Sequence, residues 1–322
     1  MMGEPAKPRL SPSCTVVVCT CERPQHLCSC LEALSRVEYE NFSVLVVDNA
    51  PLSKATREIA AKFAVGYVVE PVPGLSRARN CGAQASTGDI IAYLDDDGLA
   101  DAGWLRALVR EFEDPAVAAV GGRVVPVGGL RESHEAGRLR GSYLPGEVRR
   151  KVDRRTSDWF AQTNFGALGI GTNMAFRRTA FERWCGFDPR LGRGTPLDVG
   201  EETYAFFKLI KLGYTMVYTP DAVVEHPYRP PKEDMLCRRI RSRASLTGYL
   251  TFLLFEEPLY APQTLRYMGQ RLCGKRPEWR GHLEPTDEII PRWRAALALA
   301  GGPWLYFRTL LLGPRRSGLH GQ

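Results

Sequence analysis

Apolar positions fall into two periods along the first half of the chain. Residues 15–20 (TVVVCT), 43–47 (SVLVV) and 65–69 are short β-branched runs, which predict strands. Between them, Leu27, Leu31 and Leu34 recur at helical spacing, so residues 25–36 are expected to lay one face on a sheet, with Pro24 at the first helical position. Residues 53–63 read as a second helix. After a Pro/Gly loop at 71–75, Ser76 is placed to cap a helix over 77–85 that carries Arg79 and Asn80. The next apolar run, inside residues 88–98 (GDIIAYLDDDG), stops on three consecutive carboxylates. A helix at 102–112 and a strand at 117–125 follow. Strand–helix alternation of this kind predicts an α/β fold with a parallel sheet and right-handed crossovers.

The pattern lapses over residues 128–162, a polar segment holding Arg149, Arg150, Lys151, Arg154 and Arg155. A segment of that length without periodicity reads as a loop or helical insertion over a site, its basic residues facing either phosphate or solvent. Order returns with a Gly-rich strand at 165–178, a helix at 178–184, a loop at 186–198 and a helix at 201–212 ended by Gly213. Two short extended runs, 214–218 and 222–225, lead to His226. Beyond residue 230 the composition turns to basic and apolar helix, over 237–255 and 295–312. Neither run has the roughly 20 uninterrupted apolar residues of a membrane span. Core packing is expected of both, with in-plane membrane attachment or contact with a partner as the other reading. Residues 1–12 are then a polar tail, 13–230 the α/β domain and 231–322 a helical region.

Charge narrows the class of partner. The formal net charge is +7, with the arginine excess after residue 120, which favours anionic partners such as nucleotides, phosphates or lipid head groups. No nucleic-acid-binding motif accompanies it, so nucleic acid is set aside. The N-terminus lacks the apolar core of a signal peptide, and nine cysteines then imply a reducing cytoplasm, or its membrane face, and free thiols. Cys19-x-Cys21 and Cys28-x-Cys30 look like zinc ligands, but i and i+2 do not share a helical face; buried small side chains fit better.

The acidic triplet carries the chemistry. Three adjacent anions cannot be buried without compensation, because each ionised carboxylate taken out of water costs several kcal/mol. Asp95, Asp96 and Asp97 must therefore lie at the strand's mouth, where open α/β sheets bind ligands. Clustered hard oxygens suit Mg2+ or Mn2+ shared with substrate phosphates. A solvated Asp-Gly turn would use the same residues, so the flanking sequence decides.

That flanking sequence resembles glycosyltransferase family 2. The likeness is carried by Thr20-x-Glu22-Arg23-Pro24 after a strand, Asp48-Asn49 after a strand, Gly74-Leu75-Ser76-x-Ala78-Arg79-Asn80 and Leu94-Asp95-Asp96-Asp97. It continues through Gly171-Thr172-Asn173-Met174-Ala175-Phe176-Arg177-Arg178 and Gly200-Glu201-Glu202, and covers residues 13–226. The resemblance implies a GT-A fold: a Rossmann-like, mostly parallel sheet flanked by helices, here with a C-terminal helical extension. It also implies a hexosyltransferase using a nucleotide sugar, a UDP-sugar in the first instance, a divalent cation (Mn2+ or Mg2+) and inversion at the anomeric carbon.

Residue roles follow from the same resemblance. Asp97 is expected on the metal, with Asp95 orienting ribose and metal water and Asp96 beside the donor. His226 is a candidate third ligand. Thr20, Glu22 and Asp48 are expected at base and ribose, Arg79 near base and phosphates, and Thr172 and Asn173 at donor sugar and acceptor. The family's base is a helix-start carboxylate, most often in a Glu-Asp pair. This chain has Glu201-Glu202, so Glu202 matches the base one methylene longer, with Glu201 and Asp198 also open and the helix dipole as the structural account of the pair. No Gln-x-x-Arg-Trp run is present, which points to transfer of one sugar rather than processive synthesis. The acceptor stays open between sugar, lipid-linked, peptide and small-metabolite hydroxyls, and the C-terminal region between peripheral membrane contact and a homodimer. A nucleotidyltransferase would share the sheet and acids but calls for a Gly-rich Arg/Lys loop where Cys19-Thr20-Cys21-Glu22-Arg23-Pro24 stands. A non-catalytic nucleotide-sugar binder is disfavoured by the intact Asp95, Asp97 and Glu202.

Overall fold

The computed structural model describes residues 11–127, 146–166, 168–226, 232–273 and 291–312. Among the described residues nine strands form one sheet in the order β3-β2-β1-β4-β8-β6-β9-β5, with β7 paired to β9. Strand β1 (Cys14–Thr20) lies between β2 (Phe42–Asn49) and β4 (Ile90–Asp95), parallel to both, and β3 (Gly66–Glu70) extends this half in the same sense. Burial on both faces explains the continuous β-branched composition. Val16 and Val18 face one layer, against Leu27, Leu31 and Trp104, while Val17 faces the other, against Ala78 and Phe187. The first layer is built by α1 (Pro24–Leu34), α2 (Ala55–Lys62) and α4 (Trp104–Arg110); α3 (Leu75–Ala85) lies on the other.

The second half of the sheet mixes directions. Strand β8 (Asn173–Arg177) runs antiparallel to β4 and to β6 (Val117–Pro126), while β6 and β9 (Thr215–His226) are parallel. The short strands β5 (Leu99–Ala100) and β7 (Arg150–Val152) both pair β9 antiparallel. The two extended runs expected before His226 are one strand, because a register shift opposite Gly122 and Arg123 bridges the interruption. The Gly-rich strand expected over 165–178 is confined to β8, since a helix, α5 (Trp159–Asn164), and turns occupy what precedes it. Of the polar segment at 128–162, residues 128–145 lie outside the described residues. In the remainder, Arg149 binds the buried Glu111 (2.6 Å) and Lys151 binds Asp114 (2.8 Å), so these two cations neutralise acids of the chain rather than facing a phosphate.

Ser76 does not cap α3. The cap is Gly74, at φ +139°, and the Ser76 hydroxyl instead donates to the Leu191 carbonyl (2.7 Å), tying α3 to the 186–198 loop. After α6 (Arg178–Trp184) that loop leads into α7 (Glu201–Lys211). The C-terminal helices α8 (Lys232–Glu256), α9 (Ala261–Leu272) and α10 (Arg292–Leu312) add a third core, in which Tyr249, Phe252 and Tyr306 meet Leu191, Leu197 and Phe207. Helices α8 and α10 approach closely at Gly302, where a Cβ would lie 1.9 Å from Thr247 Oγ1. No described helix is long and apolar enough to cross a membrane.

Candidate active site

At the mouth of β4 the three carboxylates diverge. Asp96 turns inward, accepting from Thr20 Oγ1 (2.7 Å) and Arg23 Nη1 (2.5 Å). Burial pushes its pKa up to about 6, despite those partners. Asp97 accepts from Arg23 Nη2 (2.6 Å) and lies 2.9 Å from His226 Nε2. Burial opposes its charge, but the hydrogen bonds from His226 and Arg23 outweigh burial and hold the carboxyl well below the usual range. Asp95 accepts from Thr172 Oγ1 (2.7 Å) and faces Arg79 Nη2 at 3.4 Å.

Asp95, Asp97 and His226 each offer a ligand atom, and these atoms lie within 4.8 Å of one another. Among the described residues this is the only such cluster of three or more. Two hard carboxylate oxygens and an imidazole nitrogen fit a divalent cation such as Mn2+. The ligands come from β4, its following turn and the end of β9, so the sheet brings together residues 131 positions apart in sequence, Asp95 and His226.

Arg79 carries the site to its second acidic group. Expected near base and phosphates, it is instead 2% exposed and faces no open cleft. Its Nη1 donates to Glu201 Oε1 (3.0 Å) and its Nη2 to the Gly171 carbonyl (3.0 Å) and Asp95, with the Phe187 ring 5.6 Å away. Gly171 is required there, since a Cβ would lie 2.6 Å from Nη2. The arginine is thus a buried tie between the metal acids and the start of α7. Glu201, itself buried, has its charge taken up by that tie. Glu202, beside it, is half-buried. Burial and the neighbouring Glu201 push its pKa well above the carboxylate range, against the pull of Arg79. Gly200 starts the helix at φ +97°, and a Cβ there would lie 2.6 Å from the Tyr249 ring, so α8 braces this corner.

The other expected residues divide. Thr172 supports Asp95, and Thr20 supports Asp96. Asn173, expected at the sugar, is 0% exposed: its Nδ2 donates to the carbonyls of Arg123 and Ala222 (2.9 Å each), and its Oδ1 accepts from Trp104 Nε1 (2.8 Å). It binds β8 to β6 and β9 and does not border a cleft. Glu22 accepts from the Leu52 and Ser53 amides (2.8 and 3.0 Å), which fastens the loop after β2 to the loop after β1. Asp48 is wholly buried, accepts from Tyr67 Oη (2.8 Å) and keeps Oδ1 without a hydrogen bond. Asp198 accepts from Ser245 Oγ (2.5 Å) of α8. Arg23, clamping two of the three acids, had no role assigned from sequence; its place in the loop after β1 was the available signal.

The family model for glycosyl transferase family 2 matches residues 15–185, more than half of the chain. The chain belongs to that family. Its fold is the GT-A fold. Its relatives include an N-acetylglucosaminyltransferase of Bradyrhizobium diazoefficiens, 26% identical over 304 residues, covering 83% of this chain and 59% of that protein. A glucosyl-dolichyl phosphate glucuronosyltransferase of Haloferax volcanii is 27% identical over 221 residues, covering 66% of this chain and 68% of that protein. This chain therefore spans only part of the length of the curated relatives it matches. Among solved structures, a mannosyltransferase from Pyrobaculum calidifontis in complex with GDP-Man and Mn2+ matches 95% of this chain and 77% of that one, at TM-score 0.58 and 20% identity. That likeness is one of fold.

Proposed function

We propose that this glycosyltransferase moves one sugar, with inversion, from a nucleoside-diphosphate sugar to an acceptor hydroxyl, with a divalent cation at Asp95, Asp97 and His226 and Glu202 as the base. A UDP-sugar is the donor we put first. The observation that carries the reading is the convergence of those three ligand atoms within 4.8 Å at the carboxyl ends of the strands. The cation, when bound, would neutralise charge that develops on the departing diphosphate. The chain's own residues do the rest. Thr172 and Arg79 hold the Asp95 carboxylate in place, and Arg23 screens Asp96 from Asp97, so the acids can stand side by side.

Direct displacement breaks the bond from the anomeric carbon to the diphosphate oxygen and forms one to the acceptor oxygen, whose proton needs a base. Glu201 is a poor candidate because Arg79 holds its charge. Glu202 has a raised proton affinity and no comparable ion pair, which suits a group that must take a proton near neutral pH. The domain division at residue 230 belongs to this proposal: the α/β part binds donor and the helical part contributes to the acceptor side.

The test is release of nucleoside diphosphate from a panel of nucleotide sugars, with Mn2+, with Mg2+ and with chelator. Release that requires the metal and stops in Asp97→Asn supports the reading. Release that is indifferent to both contradicts it.

A further inference from the structure

Helix α10 is buried on one side and bare on the other. Ala298, Gly302, Tyr306 and Thr309 pack inward on α8. At helical spacing on the opposite side stand Trp293, Leu297, Trp304, Phe307 and Leu311, with Trp304 61% and Leu311 86% exposed. Phe255 of α8, also exposed, continues the patch through its ring contact with Phe307, centroids 5.5 Å apart. Five large apolar side chains in one stripe exceed the single exposed apolar residues normal on a soluble surface.

Guanidinium groups rim the stripe. Arg294 lies over the Trp293 ring (5.1 Å) and Arg308 over Trp304 (5.4 Å). Arg308 also lines a cleft of about 360 Å³ between α10, α8 and the 194–198 loop, together with Arg241 and Thr195. Helix α10 carries no acid. Aromatic and aliphatic side chains in one stripe, with arginines at its edge, are the composition of a helix lying in a bilayer interface. A second copy fits less well, because a twofold contact through this face would set its arginines against their own kind.

We propose that the α8–α10 face docks on an anionic lipid bilayer, with the stripe in the interface and Arg241 and Arg308 binding lipid phosphate at the mouth of the cleft. The cleft is also lined by Asp198, three residues before the Glu201-Glu202 pair in sequence. This deepens the transferase reading by making the acceptor lipid-borne, and that part rests on the reading; the docking itself does not.

The experiment is vesicle flotation of the full chain, using phosphatidylcholine vesicles with and without phosphatidic acid, beside donor hydrolysis on the same preparations. Wild type should float with the phosphatidic acid vesicles and far less with neutral ones, and binding should weaken at high salt. Arg241→Glu/Arg308→Glu should weaken flotation at least about tenfold, since each cation near an anionic surface contributes on the order of a factor of five. Trp293→Ser/Trp304→Ser should weaken it as well, and this second variant should hydrolyse donor as wild type does. Wild type that ignores anionic vesicles, or that sediments as a dimer unable to bind them, would overturn the proposal. Unaltered flotation of both double variants would overturn it too. Flotation without donor hydrolysis would support docking while counting against the proposed donor chemistry, so the two failures are distinct.

Discussion

The carboxyl end of the sheet and the outer face of α10 solve opposite problems. At the first, charge is dense but buried or half-buried, and nearly every group is matched: Arg23 to two acids, Arg79 to Asp95 and Glu201, His226 to Asp97. At the second, large apolar groups stand in solvent with cations beside them. The first region is matched within the chain. The second lacks a covering surface. The contrast teaches that the two should respond differently to substitution: the site through chemistry and buried ion pairs, the face through association alone.

The largest effect expected is at Asp97. Asp97→Asn removes a proposed metal ligand and a partner of both Arg23 and His226, and transfer should fall by about 10³-fold or more, the scale of losing one preorganised electrostatic contribution. Next is Glu202→Gln, which should keep donor affinity and lose about 10²–10⁴-fold in single-turnover transfer, the usual worth of a positioned base. Its pH profile sharpens the point. A base must be unprotonated to act, so with the Glu202 pKa raised, transfer should fall as pH drops through that raised value, an acid limb that Glu202→Gln should lack.

Arg79→Met tests the buried tie. It leaves Glu201 buried without its cation, and unfolding free energy should drop by about 3–5 kcal/mol in denaturant titration. Unchanged stability would contradict the buried tie. The smallest effect belongs to the other region: Trp304→Ser should change stability by no more than about 0.5 kcal/mol, because its side chain is already in water.

Much of this was legible locally. The strands β1, β2 and β4 announce themselves by β-branched runs, α6 begins and ends where its periodicity does, and the acid-tipped strand marks the site's edge. What was not legible depends on the third dimension. Arg79 reads, by resemblance, as an arginine near base and phosphates; its pairing with Glu201 emerges only when α7 is packed above it. Asn173 sits in a motif, yet its neighbours Trp104, Arg123 and Ala222 come from three other parts of the chain. The insertion of β8 antiparallel between β4 and β6 has no signature in its five residues. Helix α10 reads as core because an apolar run looks the same whether or not a neighbour covers it; half of it is core, and the other half is open.

The central claim is that the strand-end acids hold a divalent cation together with a nucleoside diphosphate. Calorimetric titration of UDP-sugar into wild type and Asp97→Asn, each with Mn2+ and with chelator, tests it most directly. Binding by wild type that requires Mn2+, and its loss in Asp97→Asn, is the predicted result. Equal binding by both proteins in chelator would contradict the account.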